Sequence, residues 1–184
     1  MNARRFFLLF FLCALIPMAA AKLSLSFGWF SGAATNKGQW LDRELQIIPA
    51  FKQGDIHWTI AYVNAGPCME SCLEAVGLLH QLYAGLGRKQ LGVQAMFISD
   101  DGAAIEKMER QFAVLKTMPL STQLNQLLES SLDNNAMFEH QFFIINQQGV
   151  ALLRYPLEGA TYTHVAADLR ADLLRLYNYD RSRL

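Results

Sequence analysis

Cys68 and Cys72, two cysteines separated by three residues, are the side chains of this sequence best suited to chemistry. They follow an apolar stretch and the turn residues 64–67, and they begin a segment with helical spacing. Free N–H groups at the start of a helix stabilise a thiolate, so Cys68 is predicted to be the more reactive thiol. Glu70, between the two cysteines, opposes that stabilisation. The four-residue separation brings both sulfurs to one helical face, where they can form a disulfide or bind one soft metal ion such as Cu(I).

The alternative for this cysteine pair is a structural disulfide or two inert thiols. Two cysteines this close tend to oxidise outside the cytoplasm. A bridge that closes so short a loop removes little chain entropy, however, and therefore stabilises a fold only slightly. The position of the pair between a predicted strand and a predicted helix is what favours a functional role.

Hydrophobic spacing predicts the elements that position the pair. In chain order these are a strand at 57–63, a helix from about 68, a strand at 93–99, helices through 105–115 and 120–128, strands at 142–146 and 150–155, and a helix through 165–176. Asp100 or Asp101 is suited to cap the helix that follows the second strand. The first two strands are expected to be parallel, and the last two to form a hairpin. This order predicts an α/β, thioredoxin-like fold, in which helices flank a central mixed sheet.

The N-terminus carries a pattern of its own. Arg4 and Arg5 precede an apolar run at 6–21, which predicts export of the chain that follows. Small residues at 19–21 fit a signal-cleavage site, whereas the apolar character that continues to residue 30 favours an uncleaved anchor. Residues 1–30 are therefore predicted to be a signal-anchor, with a cleaved signal as the alternative. The chain is thus predicted to consist of this hydrophobic helix, a linker and lead-in at 31–55, and a thioredoxin-like domain at 56–180.

Composition limits the domain count and the partners. The chain has 184 residues, of which 52% are hydrophobic and 17% charged, as expected for one globular domain with a short appendage. Sixteen basic residues balance sixteen acidic ones, so the formal net charge is zero. Nothing in this balance attracts a polyanion, and no nucleic-acid partner is predicted.

Residues 58–101 and 142–155 resemble the Sco/SenC family of copper chaperones that assist cytochrome c oxidase assembly. The matching pieces are WTIAYVNAGPCMESC, VQAMFIS and FFIINQQGVALLRY. The stretch SFGWFSGAATNKGQWL is similar to bacterial membrane-anchored, thioredoxin-like oxidase assembly proteins. The resemblance implies a single-pass inner-membrane protein whose soluble domain faces the periplasm. It also implies Cu(I) binding through the cysteine pair, and cytochrome c oxidase subunits as partners.

His140 is the candidate third copper ligand that this resemblance suggests. Sco proteins complete the site with a histidine shortly before the strand that matches FFIIN. Counted back from Gly149, that position falls at Phe138, two residues before His140. Residues two apart in an extended chain face the same side, so His140 is suited to the role. The alternative is a polar residue at a strand entrance. The histidines at 57, 80 and 164 are predicted to be structural.

Two further functions remain open. One is a thiol-disulfide reductant that acts on a copper-site protein. Ordinary oxidoreductases of this fold carry a proline directly before the strand that faces the active site. No proline lies between Pro119 and Phe142, which counts against this function. The other is a non-catalytic assembly factor that binds a membrane partner.

Overall fold

The chain divides into a short unit at residues 1–36 and a larger one at 37–184. The structure is a computed structural model that describes residues 3–26, 36–50, 56–131, 140–157 and 162–181. Parts of the predicted anchor (1–2 and 27–30), of the predicted linker (31–35 and 51–55) and the Phe138 position lie outside those ranges.

The N-terminal unit contains one long helix, α1 (Ala3–Ser26), with Pro17 inside it. Phe10, Phe11 and Leu15 are all more than half exposed. No helix within the described ranges is both long enough and apolar enough to cross a membrane. The signal-anchor therefore stays a prediction.

The described residues of the larger unit form a six-stranded mixed sheet in the order β1-β6-β5-β2-β3-β4. The strands are β1 (Gln39–Gln46), β2 (Trp58–Asn64), β3 (Val93–Ser99), β4 (Lys116–Pro119), β5 (Gln141–Asn146) and β6 (Val150–Pro156). Strands β2, β3 and β4 run parallel, and β5, β6 and β1 are added by antiparallel pairing. The predicted parallel pair and the predicted hairpin are both confirmed.

The central strand β2 is buried along its whole length because it has cores on both faces. Ile60 and Tyr62 belong to one apolar cluster, whereas Ala61 and Val63 belong to the other. Side chains of a strand alternate between faces, so the consecutive apolar residues at 60–63 require cover on both sides. The helices are α2 (Glu70–Ala84), α3 (Gly102–Gln111), α4 (Thr122–Ser131) and α5 (Tyr162–Arg181), and a 3₁₀ segment spans Gly87–Gly92.

The helices supply that cover unequally. Residues of α2, α3 and α5 contribute to the cluster that contains Tyr62. Leu124 and Leu128 of α4 contribute to the opposite cluster. The prediction of a mixed sheet flanked by helices is confirmed.

Two strands were absent from the sequence prediction. Residues 31–55 were expected to be a linker and lead-in, but β1 lies within them and pairs with β6. Among the β1 residues whose burial the structure describes, Leu45 alone is buried, and the pairing is irregular between Trp40 and Leu45, so the strand lacks a clear alternating pattern. Strand β4 is four residues long and pairs with β3 at the opposite edge. Both edge strands form through neighbours distant in sequence.

Candidate redox site

Cys68 and Cys72 are joined by a disulfide, with their Cα atoms 5.2 Å apart. Helix α2 begins at Glu70 with Met69 as its N-cap, so Cys68 lies in the loop before the helix and Cys72 in its first turn. The prediction that both cysteines share a helical face is therefore wrong. The extended backbone of Met69 separates Cys68 from the helix.

The two sulfur-bearing residues differ in accessibility. Cys72 has no exposed surface and is part of the apolar core, whereas Cys68 is partly buried and packs against that core. A reagent from solvent therefore meets Cys68 first. Its neighbour in sequence, Met69, is 69% exposed, so an apolar side chain lies beside the accessible end of the disulfide.

Two carboxylates after β3 bind the loop at 65–69 between β2 and α2, called the cysteine loop below. The Oδ1 atom of Asp100 accepts a hydrogen bond from the Gly66 N–H at 2.7 Å. The Oδ2 atom of Asp101 accepts one from the Cys68 N–H at 3.1 Å. Gly66, Pro67 and the two aspartates also line a surface depression of about 340 Å³. Since β2 and β3 are parallel neighbours, their following loops meet at one edge of the sheet.

Asp101 also caps helix α3. Its Oδ1 atom accepts hydrogen bonds from the N–H groups of Ala103 and Ala104, each at 3.1 Å. The backbone N–H of Cys68, followed by that of Ala104, holds the pKa of Asp101 below its ordinary value, because both stabilise the carboxylate. The sequence predicted a cap at Asp100 or Asp101, and the structure assigns it to Asp101. The hydrogen bond from the Cys68 N–H to Asp101 is a tertiary contact that no local sequence pattern indicates.

Aromatic rings occupy the core that contains Cys72. The Tyr62 ring lies 5.9 Å from that of Phe97 and 5.1 Å from that of Phe142, centroid to centroid. The Tyr62 hydroxyl and the Nδ1 atom of His140 are 2.8 Å apart and share a hydrogen bond. Burial raises the pKa of Tyr62 far above its ordinary value, so the phenol stays protonated.

His140 lies directly before β5, at the end of the sheet where β2 leads into the cysteine loop. This follows from the register, in which Val63 near the end of β2 pairs with Gln141 at the start of β5. The backbone of His140 has a positive φ of 59°, which is uncommon for a residue other than glycine. Its carbonyl accepts a hydrogen bond from the Leu157 N–H at 3.1 Å.

The structure does not gather the three predicted copper ligands into one site. Within the described residues, no group of three or more histidine, cysteine, aspartate or glutamate side chains is placed to hold one metal ion. Both sulfurs are in the disulfide, and the His140 ring contacts Tyr62. Oxidised cysteines offer no thiolate, so this donor set fits Cu(I) only after reduction.

The contacts of His80 and His57 are to residues other than the two cysteines. The His80 ring packs 4.8 Å from that of Phe112. The His57 ring lies 3.5 Å from the Asp180 carboxylate. The third, His164, is exposed in the first turn of α5. These contacts are those of structural or surface side chains.

Comparison with known proteins confirms the thioredoxin-like fold. Residues 58–177, well over half of the chain, match a family model described as transmembrane-like, thioredoxin-like, C-terminal domain. No curated protein sequence matches the chain.

Solved structures with a similar shape include two Sco proteins and an interchange protein. For yeast Sco1 the identity is 11% and the TM-score 0.47, covering 65% of this chain and 85% of that one. For copper-bound ScoI of Arabidopsis thaliana the values are 13% and 0.43, with the same coverages of 65% and 85%. For a thiol:disulfide interchange protein of Chlorobium tepidum they are 8% and 0.47, with 71% and 97% covered.

Proposed function

Because this chain belongs to the transmembrane-like, thioredoxin-like C-terminal domain family, we propose that Cys68 and Cys72 are a redox couple that exchanges a disulfide with another protein. The observation that carries the proposal is the unequal burial of the two residues. Cys68 is accessible in the loop, whereas Cys72 is fully buried beneath it. An exchange reaction needs one sulfur that a partner can reach and one that can leave.

The exchange begins when a partner thiolate attacks the Cys68 sulfur. A bond forms between the partner and Cys68, and the bond from Cys68 to Cys72 breaks. Cys72 leaves with the electron pair and takes up a proton. A second partner thiolate then attacks the partner's own sulfur in the mixed disulfide and releases Cys68, which is protonated in turn. Two electrons and two protons pass to the cysteine pair, and the partner retains a disulfide. The reverse sequence reduces a partner.

The full chain tests this proposal in glutathione buffers. Cys13, a free and exposed third cysteine, is first replaced by serine. The disulfide should interconvert reversibly with the dithiol while the fold stays intact. In that background, Cys72→Ser should form a mixed disulfide with glutathione rapidly through Cys68. Cys68→Ser should react much more slowly, because the Cys72 sulfur is buried.

The contrary result is equally clear. If the disulfide is reduced only after denaturation, and both single variants react only then, the bridge is structural. Mass spectrometry of alkylated chains counts the free thiols, and circular dichroism shows whether the fold persists.

A second candidate is Cu(I) binding by the reduced pair, which the position of His140 favours. His140 lies at the sheet end that carries the cysteine loop. Thiolates of Cys68 and Cys72 would supply the soft donors that Cu(I) prefers, and the imidazole would be the third ligand. This function requires reduction of the disulfide first, so the redox couple would control whether copper binds.

The cellular setting is part of the same proposal. Arg4, Arg5 and the apolar residues after them support an exported chain held in the inner membrane, with its soluble domain facing the periplasm. The likeness of the sequence to Sco/SenC proteins supports cytochrome c oxidase subunits as the partners.

A further inference from the structure

We propose that Asp101 is a positioning residue that holds the redox balance of Cys68 and Cys72 toward the disulfide. The inference rests on the proposed disulfide exchange. It concerns a residue 29 positions beyond Cys72 in the sequence, on the loop after a different strand.

The contacts of Asp101 connect the start of helix α3 to the cysteine loop. One carboxylate oxygen accepts the two N–H groups that begin α3. The other accepts the N–H of Cys68 itself. The Ser99 hydroxyl, which is fully buried, accepts a hydrogen bond from the Asp101 N–H at 3.1 Å. Hydrogen bonds to both oxygens therefore hold the carboxylate in place, and its negative charge lies next to the backbone N–H of Cys68.

That fixed charge acts differently on the two redox states. In the disulfide, the Cys68 sulfur is uncharged and gains or loses little from a nearby carboxylate. In the reduced protein, negative charge on the same sulfur is repelled by the carboxylate. The repulsion raises the free energy of the reduced state alone, so Asp101 favours the disulfide. The helix start at Glu70 acts in the opposite direction, because its free N–H groups attract negative charge.

Asp100 provides a matched comparison within the same loop. It is adjacent in sequence and lines the same depression, but its hydrogen bond is to Gly66, two residues before Cys68. If the contact with the Cys68 backbone matters, removing the Asp101 charge should change the equilibrium constant for reduction more than removing the Asp100 charge does.

The test compares the full chain carrying Cys13→Ser alone with the same chain carrying in addition Asp101→Asn or Asp100→Asn. The measurement is the equilibrium constant for reduction by glutathione at one mildly alkaline pH. Asparagine caps a helix about as well as aspartate, so Asp101→Asn removes the charge and retains the cap. We expect it to raise the equilibrium constant by about threefold to tenfold, and tenfold is about 30 mV for this two-electron couple. Asp100→Asn should change it by less than half as much on a logarithmic scale.

Each outcome decides the inference. An unchanged constant in Asp101→Asn overturns it, while reversible reduction of the unaltered chain leaves the proposed function intact. Equal shifts in the two variants also overturn it, because the effect would then belong to the loop's charge and not to the Cys68 contact. If Asp101→Asn fails to fold, Asp101→Ser carries the same test, since serine also caps a helix without a charge. A disulfide that is not reversibly reduced in the unaltered chain refutes the proposed function itself.

Discussion

The carboxylate of Asp172 on α5 accepts a hydrogen bond from the hydroxyl of Tyr155 on β6 at 2.8 Å, inside the core. The same oxygen accepts the N–H groups of Lys37 and Gly38 at 2.7 and 2.8 Å. Asp172 has no exposed surface, and the Arg175 guanidinium lies 3.7 Å from its other oxygen. This buried carboxylate therefore joins the start of β1 to the last helix and to β6.

Asp172→Asn should destabilise the larger unit by about 1–3 kcal/mol, because hydrogen bonds to a charged acceptor are stronger than those to an amide. Tyr155→Phe removes one of the three bonds and should cost about 1 kcal/mol. Urea unfolding followed by circular dichroism measures both.

Asp168→Asn is the matched control for Asp172, since Asp168 lies one turn earlier on α5 and is only partly buried. It should change the free energy of unfolding by less than about 0.5 kcal/mol. Equal losses in the Asp168 and Asp172 variants would show that the buried carboxylate contributes nothing beyond the helix's general charge.

Stability should fall in alkaline solution because two buried phenols resist ionisation. Burial raises the pKa of Tyr62 and of Tyr155 above the ordinary 10.0, and the Asp172 carboxylate raises that of Tyr155 further. The unfolded chain ionises near 10, whereas the folded chain keeps both protons. Their contribution is thus complete below about pH 10 and is lost as the pH rises from there toward the folded values.

Unfolding free energies at about pH 9 and pH 11 measure this loss. Tyr62→Phe should make the loss smaller, because one of the two linked protons is gone. Tyr179→Phe is the control, since Tyr179 is 61% exposed. An identical alkaline loss in the Tyr62 and Tyr179 variants would contradict the assignment.

Gly149, in the turn between β5 and β6, should not tolerate alanine. Its φ is 84°, and a Cβ there would collide with the carbonyl oxygen of Ile48. Its own carbonyl accepts hydrogen bonds from the N–H groups of Ile47 and Ile48 at 3.0 and 3.3 Å. Gly149→Ala should therefore cost more than about 2 kcal/mol of stability.

Gly77→Ala is the opposite case, since Gly77 lies inside α2 and an added Cβ comes within 4 Å of no atom beyond its chain neighbours and the adjacent helix backbone. This change should stabilise by about 0.5–1 kcal/mol, because alanine loses less backbone entropy on folding. Thermal unfolding of the two variants should move in opposite directions, and a shared direction would contradict the account.

Copper binding is tested by competition with a Cu(I) chelator after reduction of the full chain. Cys68→Ser and Cys72→Ser should each abolish binding, since one thiolate does not hold the ion against small thiols. His140→Ala should weaken binding without abolishing it, and His80→Ala should have no effect. If the reduced, unaltered chain takes up no Cu(I), the second candidate function fails. Equal affinity in His140→Ala would remove only that histidine from the site.

Membrane attachment is tested by alkaline extraction of cells that produce the full chain. The apolar residues 6–30 should keep it in the membrane pellet. Arg4→Glu combined with Arg5→Glu should disturb its orientation, and protease added outside the cytoplasm reports which side the domain occupies. Recovery of a soluble mature chain that begins at Lys22 would instead support a cleaved signal.

The elements of the central sheet were predictable because their signals are local. The strand VQAMFIS at 93–99 was predicted with its observed bounds, since consecutive apolar residues at 95–98 indicate a strand buried on both faces. The cysteine pair was equally visible, because residue type and spacing carry its chemistry. Strand β1 was not, since its hydrogen bonds come from β6, more than 100 residues away, and its exposed residues show no alternation.

By itself, the sequence determined the mixed α/β order, the turn at Gly149 and the pairing potential of Cys68 with Cys72. Only the tertiary structure decided that Cys68 lies outside the helix and that Cys72 is buried. It also decided that Asp101 contacts the Cys68 backbone, and that His140 faces Tyr62 in the disulfide form. The physical reason is that spacing along one element sets which side chains share a face. Contacts between loops depend instead on which strands become neighbours in the sheet.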